Sequence, residues 1–395
     1  MNKLKYILSG SAKFLLFETG RILHQRNQLE KIICGYPWFK LKKENIPKDL
    51  VISSGLYNIL KYPFWSFQMA APYNDLLGIL NKKNIDKLVC NFLEKNDNAD
   101  VLLGLAGVSL NSAKKFLNND KIFVCERTSS HISYQNKIMI EENKKYGKVK
   151  KYEVHSWFIE NELKEYEMAD VILVPSNFVK NSFDEKNINK VKVIELGANI
   201  DNFFPIPGVV KSEKYFDIIF IGQKTLRKGL HYLIEAFQNF KHPHKRLHVI
   251  GSDTDDKKFF QKKLNEENII VYGHVPQLEL NDIINKCHVF VLPSIEDGFG
   301  IVALQAAATG CPAIVSENTG ALDFVVKNKA GIVVPIRDST AIKNSLEMLA
   351  DDRILLNQLS INAIEGTKRN TWSNYVDKLD TFLSKIKQDK LNNVL

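Results

Sequence analysis

Residues 287–320 read CHVFVLPSIEDGFGIVALQAAATGCPAIVSENTG, and this stretch contains one complete crossover unit. Val289 to Leu292 is an apolar run of the kind buried on both faces of a parallel sheet, and Pro293-Ser294 ends it. The loop from Ile295 to Gly300 carries two acids, Glu296 and Asp297, and two glycines, Gly298 and Gly300. Ile301 to Thr309 then reads as a helix rich in alanine, small enough to lie close on a sheet, with Gly310 as its stop. A second buried strand follows from Pro312 to Ser316. Strand, loop, helix and strand make a βαβ unit, which implies an α/β chain built on parallel sheets. The helix start behind Gly298-Phe299-Gly300 leaves backbone N–H groups aimed above the sheet, a place that favours an anion.

The same alternation extends on both sides of the unit. Phe216 to Ile221 is a strand, Gly222 to Gly229 a loop, and Leu230, Leu233, Ile234 and Phe237 share one face of the next helix. Arg227 and Lys228 stand just before that helix, where the backbone is already partially positive; a bound pyrophosphate would remove the conflict. Leu247 to Ile250 and Ile269 to Tyr272 are further strands, Gly331 to Pro335 is the last, and helices run from Ser339 onward. Asp253 and Asp255 imitate a metal-binding acid pair, but they precede a Lys-rich helix and read as its cap and first-turn acids. No metal and no cofactor are expected.

In the N-terminal half, Tyr6 to Leu8 starts a strand and Ser9-Gly10-Ser11 a tight turn where a ligand can approach, unless Gly10 serves only the turn. Ile32 to Gly35 is the second strand, and Leu41 to Asn74, with three prolines, reads as irregular. Val101 to Leu105 and Ile122 to Cys125 are strands, with Ser112 as the expected cap of the helix between them. Beyond the second of these comes Glu126-Arg127-Thr128-Ser129-Ser130-His131, at the strand end where open parallel sheets bind ligands. Arg127 either binds phosphate or pairs with Glu126; His131 either faces the cleft, caps the next helix or is simply surface. Val171 to Val174, ended by Pro175-Ser176, echoes the Val291-Leu292-Pro293-Ser294 of the second half. Two related α/β halves follow, residues 1–205 and residues 206–375, with a terminal helical segment 376–395 after them.

At 395 residues, 45% hydrophobic and 25% charged, the chain suits two ordinary globular domains. Its five cysteines are scattered singly through apolar runs and read as reduced core residues, which points to the cytoplasm. No apolar stretch approaches the ~20 residues of a spanning helix. The net charge of +9 sits mostly in residues 1–205, which hold 30 Lys and Arg against 23 Asp and Glu. Acids interleave with most of those lysines, so a solvated surface is the main reading and peripheral contact with an anionic membrane the secondary one. Nucleic acid is not favoured, because no finger, zipper or aromatic RNA signature is present.

The loop around Asp297 resembles the nucleotide-sugar loop of the family 4 retaining glycosyltransferases, whose signature is Glu, seven residues, Glu around a GFG. Here Asp297 takes the first acid's place and Gln305 the second's, with Glu296 beside Asp297 able to deputise. The resemblance implies the GT-B architecture, two Rossmann-like domains facing a central cleft, with the terminal helix returning to the first domain through Trp372, Tyr375 and Phe382. It implies transfer of a sugar from a nucleotide diphosphate donor to a carbohydrate or lipid-linked glycan, in polysaccharide or glycoconjugate synthesis. By position it implies His131, Arg227, Lys228 and Asp297 as catalytic, and Gly10, Arg127, Glu296, Gly298, Phe299, Gly300 and Gln305 as donor-binding. Alternatives are a non-catalytic nucleotide-sugar-binding subunit, since both signature acids are replaced, and a nucleotide-sugar epimerase.

Overall fold

The computed structural model describes residues 3–11, 13–54, 71–96, 98–118, 120–147, 153–198, 200–254 and 256–392. The N-terminal sheet comprises β1 (Tyr6–Gly10), β2 (Leu29–Cys34), β3 (Val51–Ser53), β4 (Val101–Leu105), β5 (Ile122–Glu126), β6 (Val171–Val174) and β7 (Val191–Val193). Its helices are α1 (Lys13–Gln25), α2 (Ala71–Leu93), α3 (Leu110–Phe116), α4 (Ile132–Lys145), α5 (Ser156–Met168) and α6 (Asn177–Asn181). The strand order is β3-β2-β1-β4-β5-β6-β7. Neighbouring strands pair in parallel.

The second sheet comprises β8 (Phe216–Ile221), β9 (Lys245–Ile250), β10 (Ile269–Gly273), β11 (Val289–Leu292), β12 (Ala313–Ser316) and β13 (Gly331–Val334), in the order β10-β9-β8-β11-β12-β13. Around it lie α7 (Leu230–Asn239), α8 (Lys257–Lys263), α9 (Gln277–Asn285), α10 (Ile301–Ala308), α11 (Ala321–Asn328), α12 (Ser339–Asp351), α13 (Arg353–Thr367) and α14 (Trp372–Asn392). All of these strand pairs are parallel too. The protein therefore has the GT-B architecture of two parallel α/β domains. In each sheet the order reverses beside the first strand, and the crevice for a ligand lies beyond the carboxyl ends at that reversal. β8 and β11 are the pair at the second reversal, which brings their following loops side by side.

Every residue of β8 and β11 is buried, as a strand covered on both faces requires. α10 fits against the sheet because Ala303, Ala306 and Ala307 are fully buried and allow close approach. α14 packs on α1 and β5 of the first domain. Tyr375 donates from its hydroxyl to Glu126 at 2.7 Å, and the Tyr6 hydroxyl donates to Asp380 at 2.7 Å. Ion pairs from Lys387 to Asp100 (3.0 Å) and from Lys390 to Asp170 (2.7 Å) continue that seam.

Three expectations need correction. The stretch from Leu41 to Asn74 is not wholly irregular: it holds β3 and the first turn of the long helix α2, while residues 55–70 lie outside those described. Proline at the start of α2 costs no helical hydrogen bond, which is why it failed as a break signal. Ser112 does not cap α3 but sits inside it; the carboxylate of Asp86 on α2 takes the Asn111 and Ser112 N–H groups at 2.9 and 2.8 Å instead. Asp253 is no helix cap either: it pairs with Lys224 at 2.8 Å and Lys257 at 3.2 Å, and Asp255 lies outside the described residues. The five cysteines are free. Among the described residues no helix is long and apolar enough to cross a membrane.

Candidate active site

The loop between β8 and α7 turns through Leu226–Lys228 and ends at Gly229, whose φ is +68°. A side chain there would be strained, and its Cβ would lie 1.8 Å from the Pro293 carbonyl oxygen, so only glycine lets this loop press onto the end of β11. The Arg227 carbonyl then accepts from the Ile295 N–H at 2.8 Å, stitching the two loops together. Arg227 and Lys228 are thereby brought to the acids of the second loop.

Four charges meet at this point. Arg227 Nη1 lies 3.1 Å from Glu296 Oε2, and Lys228 Nζ lies 2.5 Å from Asp297 Oδ2. Burial by itself would raise the Asp297 carboxyl, but Lys228 and Arg227 outweigh it and hold the group below the usual carboxylate range. Glu296 is likewise held down by Arg227 against the opposing effect of burial. Both acids are ionised, and the four charges sum to zero. Gly300, at φ +69°, opens α10 without a side-chain cap, and its N–H reaches Asp297 Oδ1 at 3.3 Å.

The two neighbouring acids face different ways. Glu296 has no side-chain exposure and accepts from the Ser130 N–H (2.9 Å), the Ser130 hydroxyl (3.0 Å) and the Gln135 amide (2.9 Å), all of the first domain. It holds the domains together and is not presented to the cleft. Asp297 keeps 13% of its side chain exposed, and Lys228 keeps 17%. Gly298 lies against the first domain: its carbonyl accepts from Ser176 Oγ at 2.7 Å, and a Cβ would sit 1.8 Å from the Thr128 oxygen. Phe299 is buried in the core, and a Cβ at Gly320 of the next loop would lie 2.2 Å from the Gly298 carbonyl oxygen. Gln305 on α10 is 7% exposed, and no hydrogen bond to its amide is formed among the described residues.

The first-domain residues stand differently from expectation. His131 caps α4, its Nδ1 accepting from the Ser133 N–H at 3.3 Å. Its ring is held against Tyr166 and Phe183, and burial lowers its pKa. Nε2 is buried and has no hydrogen-bond partner among the described residues. Arg127 pairs with Glu162 at 2.8 Å, not with Glu126, and also donates to the Ser130 carbonyl and Gln135. These contacts orient the very residues that grip Glu296. Glu126 instead faces Tyr375, and burial pushes its carboxyl up to about 7. The space a Cβ would take at Gly10 is occupied by Leu105, so this glycine serves the packing of β1 on the β4 end.

Sequence reasoning missed Ser130, Gln135, Ser176 and Glu142, which join the halves. Glu142 of α4 is fully buried and accepts from His231 (2.9 Å), Tyr232 (3.0 Å) and Arg337 (2.7 Å) of the second domain. Ile138 and Met139 of the same helix lie in that domain's core. A clue was present: the α4 stretch has an acid among apolar residues at helical spacing.

Residues 205–366 match the family model described as glycosyl transferases group 1. The matched stretch spans the second domain from the linker to α13. The capsular polysaccharide biosynthesis glycosyltransferase CapM of Staphylococcus aureus is 30% identical over 220 residues, 51% of this chain and 56% of that protein. The chain thus spans about half the length of the curated relatives it matches. Among solved structures, sucrose-phosphate synthase from Thermosynechococcus elongatus superposes with a TM-score of 0.71 at 14% identity, over 97% of this chain and 99% of that one. Alr3699/HepE of Anabaena, solved in complex with UDP and glucose, gives 0.68 at 15% identity over 96% and 100%. At these identities the two likenesses establish the fold.

Proposed function

We propose that this protein is a retaining glycosyltransferase that takes a sugar from a nucleotide diphosphate donor in the cleft between its domains and passes it to a glycan or lipid-linked glycan hydroxyl. The observation that carries the reading is the convergence of Arg227 and Lys228 on the loop that opens α10, at the strand reversal of a group 1 glycosyl transferase domain. The hard step in such a transfer is departure of an anionic diphosphate, and preorganised cations beside a helix start stabilise that charge as it develops. A diphosphate arriving at Lys228 would compete with Asp297 for the ammonium. Released from the pair, the Asp297 carboxylate is free to accept hydrogen bonds from sugar hydroxyls, and the Gln305 amide can meet the ribose hydroxyls. Capsular polysaccharide synthesis by the CapM relative supports an acceptor of the glycan class. Metal independence belongs to the same proposal, since Asp253 is engaged by two lysines and the cations of the loop can do a metal's electrostatic work.

The test is incubation of the full chain with a panel of nucleotide sugars, with and without glycan acceptors. Sugar transfer with retained anomeric configuration supports the reading. Tight binding with neither transfer nor diphosphate release would favour the binding-subunit alternative, for which the replacement of both signature acids speaks. Interconversion of the sugar would favour the epimerase.

A further inference from the structure

A cavity of about 450 Å³ lies away from the cleft, between α11, α13, the start of α14 and the segment after β7. It sits where the chain passes between the domains. The Ala198 N–H donates to the Asn370 carbonyl at 2.8 Å, and a Cβ at Gly197 would lie 2.4 Å from the Trp372 nitrogen, so both passages of the chain touch beside it.

Its lining has a definite chemistry. Lys327 of α11, Arg369 of the α13–α14 turn and Lys378 of α14 all face it, and none of the three has an anionic partner among the described residues. Lys368, next to Arg369, is by contrast taken by Glu365 on the cavity's own rim at 2.6 Å. The only carboxylate of the lining without such a pair is Glu195, on the opposite passage. Amides complete the wall. Asn328 uses its NH₂ on the Phe324 carbonyl at 2.9 Å, leaving its oxygen unused, and the Asn370 side chain makes no bond among the described residues. Three cations against one carboxylate call for an anion; unused amides and a carboxylate in the same lining call for hydroxyls.

We infer that this cavity is a second ligand site, for a small phosphorylated sugar or polyol whose phosphate meets Lys327, Arg369 and Lys378 and whose hydroxyls meet Glu195 and the asparagines. The occupant touches α11 and α13 of the second domain and α14, which is fixed to the first, so it ties the two domains at their crossing. The site stands apart from the donor cleft and does not depend on the function proposed for it.

The experiment is calorimetric titration of the full chain with glucose 6-phosphate, inorganic phosphate and glucose. Glucose 6-phosphate is expected to bind in the millimolar range or better, more tightly than inorganic phosphate, with glucose silent. Lys327→Ala with Arg369→Ala should weaken it by about tenfold or more. Lys378→Gln alone should weaken it less, and Lys228→Ala in the cleft should leave it within about twofold. The three cations are exposed and unpaired among the described residues, so the variants keep the fold, which an unchanged melting temperature checks. No heat at about 10 mM, equal affinity in the double variant, or loss in Lys228→Ala would overturn the site. Inorganic phosphate binding as tightly as the sugar phosphate would overturn the assignment of the hydroxyl contacts.

Discussion

Asp297→Asn should make the protein bind a nucleoside diphosphate more tightly while making it a poorer enzyme. In the parent, Arg227, Lys228, Glu296 and Asp297 sum to zero charge, and Lys228 is held 2.5 Å from Asp297. The substitution leaves one net positive charge and an ammonium with no competing carboxylate. At ~8 Å and an effective dielectric of ~40, each unit of diphosphate charge gains ~1 kcal/mol from losing that carboxylate. Two units would give a factor of roughly thirty, which salt reduces to about ten. Turnover should meanwhile fall by ~10², because the neutral amide oxygen of asparagine accepts from the sugar hydroxyls more weakly than a carboxylate does. Lys228→Ala is the mirror case: the site becomes net negative, diphosphate affinity falls, and turnover falls by ~10² as well. Calorimetry with UDP and GDP, beside initial rates with the donor that the panel identifies, measures both quantities. If Asp297→Asn binds the diphosphate more weakly than the parent, the carboxylate does not compete for Lys228, and the account of the four charges is wrong.

Three further outcomes are expected. Gln305→Leu, of similar bulk but without hydrogen bonds, should weaken nucleoside diphosphate binding by ~1–3 kcal/mol with the melting temperature unchanged; unaltered binding in the same calorimetry would remove Gln305 from the donor site. Activity should survive chelation, and Asp253→Asn should leave it within a few-fold, since that carboxylate is engaged by Lys224 and Lys257; loss on chelation with recovery on adding manganese or magnesium would refute this. The Glu126 carboxyl is raised from 4.5 to about 7 by burial, so the folded state holds its proton more strongly than the unfolded chain, and stability falls as pH rises from 4.5 to 7. At 1.36 kcal/mol per pH unit that difference amounts to roughly 3 kcal/mol, so Glu126→Gln, which keeps an acceptor for Tyr375, should stabilise the fold at pH 8 and not at pH 4; equal denaturation midpoints at pH 8 would contradict it.

The sequence made the second domain readable because its signals are local. An all-apolar strand, a glycine at positive φ and an alanine-rich helix each restrict the backbone within a few residues, and β8, β11, α10 and β12 appear where those signals put them. Lys228 and Asp297 were placed together by two such loops on neighbouring strands. The first domain was less legible since its decisive contacts are long-range. Arg127 has an adjacent acid in Glu126, yet pairs with Glu162, thirty-five positions away, because helix α5 delivers that carboxylate over the end of β5. His131 had both a cap and a cleft reading; the cap is local, but the ring's setting comes from Tyr166 and Phe183 closing around it, and no pattern near residue 131 encodes them.

Glu296 and Asp297 show most clearly what a motif leaves open. Successive residues of a loop point in different directions, so a signature that needs one acid near this place cannot say which of two adjacent acids meets the donor. The geometry separates them by partners. Glu296 is enclosed with donors from Ser130, Gln135 and Arg227, and withdrawing them would leave a buried charge uncompensated, which costs several kcal/mol. Any opening of the cleft that parts Ser130 from Glu296 must therefore let water reach that carboxylate as it happens, and the same holds for Glu142 against His231 and Arg337. Asp297 has no such obligation: its partner Lys228 belongs to the same domain and moves with it. The acid that can change partners without moving the domains is the one suited to meet a ligand.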